Sequence, residues 1–230
     1  MFLARFSVVS RFAAVAALLL AGMSAQANIC GSLYQAGKYG PFDYRTATAE
    51  MRDIVERNHF TDDVAELRKP IFQYFGPDLH YTLWAFPNHP RALLTLINLT
   101  LKEKTQQPML LPFTAECYFE RALRYKPDDL LVRMVYALYL KTYDRKADAL
   151  VQLDYVVQKA DDVPMTQYNA AKLYYELGEY EKSRAAMKTA VTLGVPYQDL
   201  IEQLRKAGHW DDEKPEDKPR DQAPEPEKEK

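Results

Sequence analysis

Two stretches of this chain repeat one another at a distance of 34 residues. Ala137, Leu140, Ala149, Leu153 and Val156 are answered by Ala171, Tyr174, Ser183, Met187 and Ala190. A fixed period of this length, with small residues at set offsets, marks stacked helical hairpins. Antiparallel helices approach closely only where side chains are small, and larger apolar residues fill the space beside those points. The period therefore predicts an all-α chain before any other feature is considered.

The ends of the chain are unlike the middle. Arg5 and Arg11 precede an apolar run from Ala13 to Ala21, which is too short to span a bilayer as a stable helix. Ala25-Gln26-Ala27 is a small-x-small cleavage site. Residues 1–27 therefore read as a secretory signal cut after Ala27. Ile29 is not the small residue that a lipid-anchored Cys30 would need before it. The expected product is an exported, periplasmic protein with no membrane insertion after cleavage. Residues 211–230 carry nine acids, five bases, four prolines and no large apolar side chain. Such a segment buries too little surface to offset its ordering entropy and is expected to be disordered.

These ends account for the charge. The chain has a formal charge of −2; without the two leader arginines and the acidic tail, the middle is neutral. Nucleic-acid surfaces need a basic excess, so no nucleic-acid partner is expected. The same balance argues against a strong patch for acidic membranes. About 180 residues remain between the ends, enough for one domain with a proper core. They contain two cysteines, Cys30 and Cys117, which in an exported protein are expected to form a bridge. Closing so long a loop contributes about 4 kcal/mol in the chain-entropy model.

The best repeat copy occupies 164–196. Ala170, Ala171 and Tyr174 lie on its first helix and Ser183, Met187 and Ala190 on its second, with Gly178 in the turn Glu176-Leu177-Gly178-Glu179-Tyr180. Glycine suits the left-handed cap that ends a helix. The copy at 130–163 puts Asp144 at that turn position, an acidic residue that accepts the conformation better than most. A third copy at 90–129 starts at Pro90, carries Ala115, Phe119 and Ala122 on its second helix, and holds six extra residues between its helices. The insertion lies within Lys102 to Pro112, either as a tolerated bulge or as a contact loop. Upstream, 28–89 reads as an N-terminal cap and a degenerate helical repeat. Helices are expected over Thr46–Arg57, from Thr61 to Leu67 and over Leu79–Phe86, with a break at Gly76-Pro77-Asp78. Downstream, 197–209 should be a capping helix with Leu200, Ile201 and Leu204 inward, followed by the tail from 210.

This pattern resembles the tetratricopeptide repeat, a two-helix unit of 34 residues, most specifically over Pro90 to Ala207. Gln167 stands where the family carries a large aromatic residue, and Ser183 where it carries alanine. The resemblance implies an α-α superhelix of about three hairpins that works as a scaffold, binding a partner polypeptide along its concave face. Five positions of each first helix line that face in the family. Here they give Arg91, Leu94, Asn98, Leu101 and Lys102, then Leu131, Met134, Leu138, Lys141 and Thr142, then Met165, Tyr168, Lys172, Tyr175 and Glu176. One subgroup clamps a C-terminal carboxylate with Lys and Asn; Met134, Val135 and Leu138 occupy those positions in one unit, and Tyr168, Asn169 and Lys172 in the next, so the clamp is missing. The alternative reading of the groove is that residues 29–44, with Leu33, Tyr34, Tyr39, Phe42 and Tyr44, fill it themselves.

Nothing in the sequence points to catalysis. It has no Gly-rich phosphate loop, no G-x-S-x-G and no H-E-x-x-H. The four histidines, His59, His80, His89 and His209, read as polar residues at turns, and no metal site or cofactor is expected. Cys117, beside Tyr118 and Phe119, has no base placed for a nucleophile. Asn98-Leu99-Thr100 matches a glycosylation sequon but falls inside a predicted helix. The sequence thus supports a non-enzymatic envelope scaffold, a monomer or weak homodimer. The alternatives are an accessory subunit of an envelope enzyme or a self-associating structural protein.

Overall fold

The computed structural model describes residues 30–211. The predicted signal segment, its cleavage site and nearly all of the charged tail lie outside those residues. Ten helices form the described chain, and it contains no strand. They are α1 (Ala49–His59), α2 (Asp62–Ala65), α3 (Phe75–Ala85), α4 (Pro90–Glu103), α5 (Ala115–Tyr125), α6 (Leu130–Thr142), α7 (Lys146–Lys159), α8 (Pro164–Glu176), α9 (Tyr180–Thr192) and α10 (Asp199–Lys206). The sequence reads as one folded domain; the chain instead divides into two compact units between Ala160 and Asp161.

In the first unit α1 packs on α3, α3 on α4, and α4 on both α5 and α6; α6 and α7 form the tightest pair. In the second unit α8 pairs with α9, and α10 closes against α9. The repeat residues lie where the pattern put them. Ala137, Leu140, Ala149, Leu153 and Val156 are buried, as are Ala171, Tyr174, Ser183, Met187 and Ala190. Ser183, the departure from alanine, donates its hydroxyl to the Ala171 carbonyl at 2.8 Å. A small residue is thus kept at the contact while its polar atom is satisfied inside the core.

Helix ends follow local chemistry. Thr48, Thr114 and Asp129 accept from the amides of Met51, Cys117 and Val132, three residues on in each case. Pro90 sits at the first position of α4, where a missing N–H costs nothing. The expected break at Gly76-Pro77-Asp78 is absent, because α3 begins at Phe75 and carries all three residues in its first turn. Proline is tolerated there for the same reason. Glycine at 76 is required for another: a Cβ would stand 2.1 Å from the Met109 carbonyl oxygen, on the inserted loop. The insertion is therefore packed against α3. The segment from Thr61 makes one turn, α2, and Leu67 then takes a left-handed conformation with φ 54°.

Residues 30–47 run as a strap without regular structure. Tyr39, Phe42, Tyr44 and Ala47 pack with Met51 on Val55, Ala85 and Phe86. Phe42 N–H donates to Ala85 O at 2.8 Å, and Gly40 lies so close to Ala85 that a Cβ would fall 2.7 Å from it. Asn88 is the knot. Its amide donates to Asp43 Oδ1 (2.7 Å) and Asp129 Oδ2 (2.9 Å), and its Oδ1 accepts from Tyr44 N–H (3.0 Å). One side chain thus joins the strap to the turn before α4 and the turn before α6.

Asp144 and Gly178 occupy equivalent turns with φ 56° and 74°. Left-handed backbone costs an L side chain about 1 kcal/mol and glycine almost nothing. Asp144→Gly should therefore stabilise the fold by about 0.5 kcal/mol, and Gly178→Ala should destabilise it by about 1 kcal/mol. Urea unfolding of both variants checks this, and shifts of the same sign would refute the equivalence of the two turns.

Candidate functional site

The first-helix positions of the first unit separate into three groups. Arg91 and Lys102 are exposed but engaged. Arg91 Nη2 donates to Asp62 Oδ1 at 2.8 Å, and Lys102 Nζ donates to Leu67 O at 2.8 Å. With Thr95 Oγ1 on Ala65 O (2.9 Å), they hold the 62–67 segment along α4. Met134 is buried, and Leu138 and Lys141 are half-buried. What remains on the surface is Leu94 at 39 %, Asn98, Leu101 at 52 %, and Leu131 at 51 % exposure, on the packed helices α4 and α6.

In the second unit Met165, Lys172 and Glu176 are exposed and Tyr175 is half-buried, its ring 5.4 Å from that of Tyr180. Tyr168 is not presented for binding. It is buried, and its hydroxyl donates to the Asp199 carboxylate at 2.8 Å, which docks the start of α10. Burial, and then Asp199, push that hydroxyl up to about 12. The repeat pattern locates Tyr168 on a first helix, but the partner that claims it comes from the capping helix, whose geometry the pattern does not specify.

The strap does not take the course in which it fills the groove. Its contacts go to Met51, Val55 and Glu56 on α1, to Ala85 at the end of α3, to the turn that holds Phe86, Asn88 and His89, and to α5. Cys30 is bridged to Cys117 on α5, as expected. Arg121 Nη1 donates to the Cys30 and Ser32 carbonyls at 2.9 and 2.8 Å, and Arg124 Nη2 to the Gly31 carbonyl at 2.9 Å. Tyr125 donates its hydroxyl to Pro41 O at 3.1 Å. All of these residues lie on α5, the second helix of its hairpin.

Sequence reasoning missed Arg121. It is 1 % exposed and lies over the Trp84 and Phe113 rings at 5.0 and 5.2 Å. Its Nε and Nη2, and Trp84 Nε1, are buried without a hydrogen-bond partner. Desolvation at this depth lowers the guanidinium pKa. Beside it the Tyr118 hydroxyl and His80 Nδ1 stand 2.8 Å apart. No signal in the sequence separates Arg121 from an exposed helical arginine such as Arg124, because the strap that covers it arrives from 91 residues away.

Three of the four histidines are structural parts rather than surface turns. His80 lies within α3, and burial, then Arg121 and Lys38, bring it down to about 4. His89 is buried and caps α4, its Nδ1 accepting from Ala92 N–H at 3.2 Å. That bond fixes the neutral tautomer with its proton on Nε2, which faces Glu56 Oε1 at 3.3 Å. Burial lowers the His89 pKa in spite of Glu56. His59 stacks on Tyr81 at 3.8 Å, with Nδ1 3.8 Å from Oδ1 of buried Asp78; burial lowers the histidine and raises the aspartate.

No protein-family model, curated protein or solved structure matches this chain.

Each of these three histidines binds its proton less readily when folded, so proton uptake favours the unfolded chain. Their contribution is complete above the unfolded value near 6.5 and is lost as the pH falls from there towards about 4. Urea midpoints should decline from pH 7 to pH 5. His89→Asn, which keeps a capping acceptor but cannot titrate, should show a shallower decline. A midpoint independent of pH over that range would refute the buried-neutral assignment.

Proposed function

We propose that this protein is an exported, non-enzymatic scaffold of tetratricopeptide type, which binds a partner polypeptide on the first-helix face of its hairpins and assists assembly or stability of an envelope complex. The observation that carries the reading is the exposure of Leu94 and Leu101 on α4 and of Leu131 on α6. Leu94, Leu101 and Leu131 stand in solvent at the positions where the family lines its groove. Isolated exposed leucines are ordinary; three of them on two packed helices, at positions that line the binding face of tetratricopeptide repeats, support a contact surface there. The course of the strap supports the same reading, since it packs on α1, the end of α3, α5 and the turn before α4 while these leucines stay exposed. The Cys30–Cys117 bridge is compatible with an oxidising compartment.

Burial of Met134 and Tyr168 determines which variants test this. Charges at those sites would unfold the core, whereas Leu94 and Leu131 tolerate substitution. A Leu94→Glu/Leu131→Glu double variant should keep the wild-type circular dichroism and melting curve and lose partner recovery by about tenfold or more, as expected when central apolar contacts are replaced by charges. A photo-crosslinker at Leu94 should capture the same partner. Undiminished recovery with the double variant would remove this face from the account.

A further inference from the structure

Glu120 Oε2 lies 3.1 Å from the Cys30 sulfur, although a bridged sulfur has no proton to share with it. The two sulfurs and one carboxylate oxygen of Cys30, Cys117 and Glu120 all lie within 4.8 Å of one another, with both cysteines buried. In the bridged state the sulfurs are not ligands. Opening the bridge would leave two thiols and a carboxylate facing a common point. We propose that, when the bridge is reduced, Cys30, Cys117 and Glu120 form a three-donor site for a thiophilic divalent cation such as zinc.

Three features of the surroundings carry this. First, the strap is clamped independently of the bridge. Arg121 holds the carbonyls of Cys30 and Ser32, Arg124 holds that of Gly31, and Phe42 N–H is fixed on Ala85. Breaking the sulfur–sulfur bond therefore leaves Cys30 in place. Second, Cys117 and Glu120 are three residues apart on α5 and so share a face by helical geometry. Third, two thiolates and a carboxylate around a divalent ion carry one net negative charge. The buried Arg121 guanidinium, bonded to the Cys30 carbonyl, and Arg124 and Arg145 near Glu120 set positive charge against it, with Glu116 opposing them. Thiolate, thiolate and carboxylate suit zinc, with a water completing four-coordination.

The chemistry balances with a dithiol as reductant. The dithiol gives two electrons and two protons to the bridge, becomes a cyclic disulfide, and leaves two thiols. The cation then displaces those two protons to solvent as two metal–sulfur bonds form.

The test uses purified protein, reduced with a dithiol and desalted without oxygen, then titrated with Co2+ and with Cd2+. The reduced protein should bind about one equivalent, with sulfur-to-metal charge-transfer absorption, and the bridged protein should give none. Cys30→Ser should abolish the charge-transfer band. Glu120→Gln should weaken binding by about tenfold or more, since loss even of outer-shell partners has effects of that size. Circular dichroism before and after reduction checks that the fold persists. Reduced wild-type protein that has two free thiols and its native spectrum but binds neither ion would overturn the proposal. Equal affinity in Glu120→Gln would overturn the three-donor site.

Discussion

Close approach between paired helices is the constraint on which the rest of the molecule depends. Helix axes can come together only where side chains are short, and here those places are filled by Ala137, Ala149, Ala171, Ser183 and Ala190, all buried. Ser183 shows how narrow the allowance is: its hydroxyl reaches the Ala171 carbonyl at 2.8 Å, so the extra atom is absorbed as a hydrogen bond. Once the helices are paired, the turns must be short, and left-handed residues appear at Asp144 and Gly178. The first helices then present one face to their partners and another to solvent. The exposed leucines of α4 and α6 follow from that division.

A second layer of structure rests on the first. The strap of residues 30–47 has no regular structure and satisfies only part of its backbone in its own turns, so the helices supply further partners. Arg121, Arg124, Tyr125 and Asn88 supply the hydrogen bonds, and the Cys30–Cys117 bridge fixes the leading end. The cost is the burial of a guanidinium with incomplete pairing, offset in part by its stacking on Trp84 and Phe113. With α5 and the turns committed to the strap, Leu94, Leu101 and Leu131 stay exposed.

Legibility of these features in the sequence was uneven, for physical reasons. Repetition is a local signal, so the hairpins at α6–α7 and α8–α9, their small residues and their turns could be read directly. So could the inward face of α10, because Leu200, Ile201 and Leu204 share one helical stripe. Gly76-Pro77-Asp78 gives a false signal of a break, since proline and glycine interrupt a helix in its middle but are harmless in its first turn. Met134 and Tyr168 stand at binding-face positions of the repeat pattern and are buried instead. Position within a repeat unit fixes the direction of a side chain on its helix, but not which later element closes over it. For Tyr168 that element is α10. The histidines are illegible for the same reason: His80 and His89 meet partners more than thirty residues away in the chain, Tyr118 and Glu56.

What the sequence determined by itself was periodicity: helical content, the paired-helix unit, the cap residues and the two cysteines available to bridge. What only the tertiary structure decided was occupancy. It placed the strap across α1, the end of α3 and α5, buried Arg121 beneath it, brought Glu120 to the bridge, divided the described chain after Ala160, and sorted the candidate groove residues into buried, engaged and exposed. The physical reason is range. Hydrogen-bond spacing and side-chain size act between near neighbours and leave a repeating trace in the chain. Burial is set by whichever distant segment arrives, and that segment leaves no mark beside the residue it covers.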